Sequence, residues 1–170
     1  MRPMLPVLAL GLAIGPAAAF AQEGCTELGA DLAFCPGGTG WEGVPLETAE
    51  IGLTLTSGDV TLSIQAVEVP EDPSAEELRL TVTDMAERLI GDDLSAFRPI
   101  LEDRPETGAG LALRVAFVSG SFDEPLVFAL TIVSTGGGVA LIQTRAEAEY
   151  LDETHSALHR DAISALGVRP

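Results

Sequence analysis

The sequence predicts an α+β fold: a mainly antiparallel β-sheet with two principal helices packed on it. Three observations predict it. Stretches with period-two apolar patterning recur between turn residues. Two other stretches carry apolar residues every third or fourth position and have helix start and stop signals. Finally, 46% of the 170 residues are hydrophobic, ample for one packed core in a chain whose length suits a single domain.

The elements follow in chain order. Arg2 gives residues 1–21 a short positive start, Leu5 to Ala19 is apolar but broken by Pro6 and Pro16, and Ala19-Phe20-Ala21 offers small residues at the −3 and −1 positions of a cleavage site. A membrane-spanning helix needs roughly 20 unbroken apolar residues. The segment therefore reads as a cleaved secretory signal, which directs the chain to the periplasm with no membrane insertion after cleavage. The mature chain, Gln22 to Pro170, has 149 residues and a formal charge of −18.

Within it, residues 22–46 read as a disulfide-pinned N-terminal loop segment and residues 47–170 as a single α+β domain. Cys25 and Cys35 stand ten positions apart, without the Cys-x-x-Cys spacing of a redox site. In an exported protein the default is a disulfide, and a loop this short stabilises by about 3 kcal/mol in the chain-entropy account. Lipid attachment at Cys25 is the competing reading; Gln22 and Glu23 stand where small and apolar residues are needed. Gly and Pro crowd the stretch from Cys25 to Leu46, with Trp41 as its expected buried anchor. Its glycines lack the Lys-Ser/Thr pair and following helix of a phosphate cradle.

Ala49 to Thr56 alternates through Ile51, Leu53 and Leu55, and Val60 to Val67 through Val60, Leu62, Ile64 and Ala66. Ser57-Gly58 suits the tight hairpin between them. After Pro70 to Pro73, Ser74-Ala75-Glu76-Glu77 has the form of a capping box. Leu78, Val82, Met85 and Leu89 follow at helical spacing, and Gly91 occupies the place of a left-handed cap. Phe97 and Ile100 mark a short strand or turn within a polar stretch.

Leu111 to Val118 alternates again. Leu126 to Val133 is almost continuously apolar, the pattern of a strand covered on both faces, and Val139 to Thr144 is a further strand. Gly120-Ser121 and Gly136-Gly137-Gly138 are hairpin connections. The last helix carries Leu151, His155, Leu158, Ala162 and Ala165 or Leu166 on one stripe, closed by Gly167 and Pro170.

This order resembles the PsbP-like, DcrB-like superfamily. Trp41 ahead of the first hairpin, the capped helix at Ser74 to Ile90, the turn-linked strands from Leu111 to Thr144, and a final helix ending in Ile163-Ser164-Ala165-Leu166 carry the resemblance, which spans roughly Trp41 to Leu166. It implies an α/β/α sandwich whose members serve mainly as accessory or binding proteins, among them photosystem assembly subunits, bacterial envelope proteins and a nuclear-transport factor that binds a small GTPase. It implies no common catalytic residues.

Composition excludes several functions. The 26 acidic residues face nine basic ones, all Arg, for a net charge of −17. Such a chain does not displace counterions from nucleic acid and is repelled by anionic membrane surfaces. No Gly-x-Ser-x-Gly elbow is present, and the carboxylate pairs (Glu71-Asp72, Glu76-Glu77, Asp92-Asp93, Glu102-Asp103, Asp123-Glu124, Asp152-Glu153) are too abundant and too loop-bound to mark a catalytic pair.

The one constellation with ligand spacing is Asp152, His155 and His159 on the last helix, a possible divalent-metal set without the Glu of the zinc-protease motif. The plain alternative has His155 edging the core while His159 and Asp152 face solvent. The expectation is thus a non-enzymatic, cofactor-free periplasmic accessory or binding protein acting through a protein partner, with the acidic excess read first as solubility and composition and second as selection for a basic partner. The competing expectation is a divalent-metal binder, hydrolytic or not, using those three residues.

Overall fold

The computed structural model describes residues 24–29, 31–49, 52–68, 73–90, 97–105, 110–120, 123–135 and 138–168. In chain order the elements are β1 (Thr26–Gly29), β2 (Leu32–Phe34), β3 (Leu46–Ala49), β4 (Gly52–Ser57), β5 (Val60–Val67), α1 (Ala75–Ile90), β6 (Phe97–Asp103), β7 (Leu111–Ser119), β8 (Leu126–Thr135), β9 (Gly138–Glu147), α2 (Glu153–Ser164) and β10 (Leu166–Val168). Among the described residues, β3-β4-β5-β9-β8-β7-β6 form one sheet in that order, with every pairing antiparallel. A small sheet, β1-β2-β10, accompanies it.

The unbroken apolar run in β8 has the consequence its composition demands. Val127 through Val133 are all buried, so both faces of the sheet need a cover. On one face Phe128, Leu130 and Ile132 cluster with Leu78, Val82, Ala86 and Ile90 of α1, and the Phe117 and Phe128 rings stack at 5.2 Å. On the other face Val133, Ala140, Ile142, Leu53 and Leu62 cluster with Ala162 and Ile163 of α2 and with Phe34 and Trp41. The chain is therefore an α+β sandwich, sheet in the middle and one helix on each side.

The capping box forms: the Ser74 amide donates to Glu77 Oε2 at 2.8 Å and the Glu77 amide donates to Ser74 Oγ at 3.2 Å. The buried stripe of α1 differs from the expected one. Leu78 and Val82 are buried, but Ala86 and Ile90 complete the line, while Met85 and Leu89 are half-buried at its flank. The sheet receives the i, i+4 ridge of the helix, and that ridge passes through Ala86 and Ile90.

Three further boundaries differ. The Gly-rich segment expected as loop holds β1 and β2; Leu32 and Phe34 earn burial in the α2-side core, and β2 is paired on both edges. The strand expected from Ala49 to Thr56 is two strands forming a hairpin, Ala49 opposite Gly52. Gly52 also lies so close to the Ile64 carbonyl that a Cβ would strike it. At the end, α2 stops at Ser164, and Gly167 lies within β10, paired with Ala33. There the Cys35 amide donates to the Ala165 carbonyl at 2.8 Å, so the tail continues as ladder rather than as a glycine cap.

Ser57 pairs with Val60, leaving Gly58 at φ +58° to make the tight turn. Cys25 and Cys35 are joined by a disulfide that ties β1 to the end of β2. No described helix is long and apolar enough to cross a membrane. The signal segment 1–21, the Gly91 cap, Ile51, Ser121, Gly136-Gly137, Pro70 and Pro170 lie outside the described residues.

Val82 is fully enclosed between α1 and the sheet, so Val82→Asp forces an unpaired charge into apolar surroundings, at a cost of several kcal/mol. The expected outcome in thermal unfolding is loss of the cooperative transition. Leu80→Asp, at a 55% exposed site on the same helix, is expected to shift stability by about 0.5 kcal/mol or less. Equal behaviour of the two variants contradicts the packing of α1.

Candidate functional site

Both histidines lie under α2, and the strands beneath them explain why. Alternation along β8 and β9 turns Thr131 and Thr144 toward α2, where both are buried in otherwise apolar surroundings. A buried hydroxyl needs a partner. His159 supplies it twice, Nε2 meeting Thr131 Oγ1 at 2.7 Å and Nδ1 meeting Thr144 Oγ1 at 2.8 Å. His155, one turn earlier, places Nε2 on the same Thr144 hydroxyl at 2.8 Å. The solvent-facing reading of His159 is therefore overturned: it is fully buried. Asp152 does face solvent, but as the N-cap of α2, its Oδ1 accepting from the His155 amide at 2.7 Å.

The polar line extends across the sheet. Arg114 of β7 stands opposite Thr131 in register and is itself buried. Its guanidinium grips Asp103 of β6 in a two-pronged pair, at 2.9 Å through Nε and 2.6 Å through Nη2. Burial first, then the charge of Arg114, then His155 push the His159 pKa down to about 3. Burial likewise lowers that of His155, against the opposing pull of Asp152 and of the Thr144 backbone. Both rings are neutral at pH 7. A neutral imidazole has one N–H and one lone pair, and two hydroxyl neighbours satisfy His159 in either tautomer.

This arrangement holds α2 in place; an enclosed imidazole with both nitrogens engaged does not reach a solute. The proposed metal set does not come together either. Among the described residues no three His, Cys, Asp or Glu side chains are placed to hold a metal ion. Three carboxylates of the sequence-adjacent pairs serve local structure: Glu76 accepts from Arg79, which lowers its pKa, Glu77 is held low by the Ser74 amide and hydroxyl, and Asp103 holds Arg114. Glu71-Asp72 and Asp92-Asp93 lie outside the described residues.

The described residues also leave open surface near α2. A groove of about 460 Å³ lies at the head of α2, between the β4–β5 turn, the end of β9 and the first turn of the helix. Asp59, Glu147, Asp152 and Tyr150 line it, and so does His155. Tyr150 is 71% exposed. The Nδ1 atom of His155 is buried without a hydrogen-bond partner. Sequence reasoning missed this groove, because Tyr150 and the Gly58-Asp59 turn are 92 positions apart in the chain and meet only through the β5–β9 pairing.

Comparison with solved structures decides the architecture. The crystal structure of the Ran-binding protein Mog1p of Saccharomyces cerevisiae superposes with a TM-score of 0.56 at 9% identity, covering 81% of this chain and 90% of that one. The solution structure of cyanobacterial PsbP (CyanoP) from Synechocystis sp. PCC 6803 gives 0.53 at 13% identity, covering 91% and 98%. The chain has the PsbP-like fold. At such identities the shared property is the fold. No protein-family model matches the sequence, and no curated protein matches it.

The clamp has a sign-definite pH signature. Because the folded pKa of His159 lies below its ordinary 6.5, the unfolded chain binds the extra proton, and stability present above pH 6.5 is lost as pH falls toward 3. Between pH 7.5 and pH 5 this loss is about 2 kcal/mol. His159→Gln, compared with wild type in urea unfolding, is expected to start less stable at pH 7.5 but to lose about 2 kcal/mol less on going to pH 5. Equal losses contradict a neutral, enclosed His159.

Proposed function

We propose that this chain is an exported, periplasmic, non-enzymatic accessory protein of the cell envelope that works by binding a protein partner. The observation that carries the reading is how its reactive groups are used. Both nitrogens of His159 are on threonine hydroxyls, Asp152 caps a helix, and both cysteines are in a disulfide. The side chains best suited to general acid–base, nucleophilic or ligating work are spent on holding the fold.

Export is supported by the apolar, proline-broken residues 5–19 ahead of small residues and by a disulfide of the kind that persists in oxidising compartments. A partner-binding role is supported by Mog1p, which shares the fold and is a Ran-binding protein. The net charge of −17 favours a basic partner through steering and rim contacts.

Two measurements on the protein test this. Chemical crosslinking in the producing cells is expected to yield an adduct with another protein in the extracytoplasmic fraction; a chain found in the cytoplasm with both thiols free contradicts the reading. Calorimetry with Zn²⁺ on the oxidised protein is expected to give no stoichiometric heat. Tight binding that His159→Ala removes contradicts it in favour of a metal binder.

A further inference from the structure

We infer that the groove at the head of α2 is the docking site for an arginine-bearing segment of the partner protein, an inference that rests on the partner-binding reading above. Three kinds of group converge there. Asp59, Glu147 and Asp152, from three separate parts of the chain, are among the groove's lining residues, and their carboxylates match a guanidinium in charge. Tyr150, 71% exposed at the rim, offers an aromatic face on which a guanidinium stacks.

The third is His155. It is 2% exposed, lines the groove, and has Nε2 engaged by Thr144. Its Nδ1 is buried with no partner, and an unmet buried polar atom is costly. In the tautomer that donates through Nε2, Nδ1 holds a lone pair that an N–H donor from the partner satisfies.

A protein segment fits better than a single small ligand. A second depression of about 490 Å³ lies on the α1 face of the same strand ends; it shares Asp59, Ala146 and Glu147 with the groove and also contains Arg145, the one cation among its lining residues. The two hollows meet at the end of the β5–β9 pair, so a segment of chain wrapping that end reaches both, which a single small ligand does not. Arg145 there opposes a second basic group, so the recognition element is one arginine flanked by neutral or acidic residues.

The test places a photocrosslinking amino acid at position 150, and separately at the exposed positions 80 and 100, in the full chain within the producing cells. An adduct with another protein from position 150 is expected, reduced about fivefold or more by combining Asp59→Asn, Glu147→Gln and Asp152→Asn. Asn caps a helix as well as Asp does, and circular dichroism verifies that the variant is folded. In parallel, the probe acetyl-Gly-Arg-Gly-amide is expected to shift the NMR signals of Tyr150 and His155 in the wild type and not in the triple variant. Adducts from 80 or 100 alone overturn the groove and leave the partner-binding reading intact. No adduct from any position overturns both. An adduct from 150 that the triple variant leaves undiminished, or probe shifts spread evenly over the acidic surface, overturns arginine recognition at this site.

Discussion

The position of α2 depends on one interaction, the clamping of the neutral His159 ring between the hydroxyls of Thr131 and Thr144. Apolar contact alone sets how strongly a helix adheres to a sheet, but not its register along the sheet, because apolar attraction has no direction. Two hydrogen bonds to two neighbouring strands do set it. Where α2 lies then decides the rest of that side of the molecule. The Trp41 indole donates Nε1–H to the Leu158 carbonyl at 2.8 Å, the Gly40 amide donates to Asp161 Oδ2 at 2.8 Å, and the chain leaving the helix reaches β2 as β10. A Cβ at Gly40 would press on the tips of the Leu158 and Asp161 side chains, which would have to shift to admit it.

The clamp is made possible by suppressing charge. Imidazole buried this deeply favours its neutral form, and Arg114 beside it adds to that preference. Arg114 in turn is tolerated inside only because Asp103 takes its guanidinium in two bonds. Asp103 pairs with Arg114, and beside them Thr131, His159, Thr144 and His155 form a hydrogen-bonded chain within the α2-side core. In that chain the buried Nδ1 of His155 is left without a partner, and His155 is one of the residues lining the groove.

Much of the fold was legible because it rests on patterning. The continuous run at Leu126 to Val133 announced a strand covered twice, and the Ser74 to Glu77 box announced the start of α1. What escaped had a physical reason in each case. The strands at Thr26–Gly29, Leu32–Phe34 and Leu166–Val168 are three or four residues long, too short to carry a period of their own; β2 and β10 pair across most of the chain, and β1 adds onto β2. Met85 and Leu89 lie at helical spacing but lose the centre of the stripe to Ala86 and Ile90, a choice made by the sheet.

The two histidines were legible as a pair on one helix face, but not in their role. Their threonine partners were visible as hydroxyls in apolar strands, and pairing a buried hydroxyl with the nearest polar residue of the covering helix was the available signal. The groove had no such signal, since it exists only after β5 and β9 are laid side by side.

The most direct test of the clamp is an NMR titration of the histidine ring resonances in the folded protein. The His159 ring is expected to stay neutral from pH 8 down to pH 5, with its nitrogen and carbon shifts constant over that range. A His159 ring that takes up a proton with a midpoint near 6.5 would mean that it stands in water, and that α2 is held on the sheet by something else.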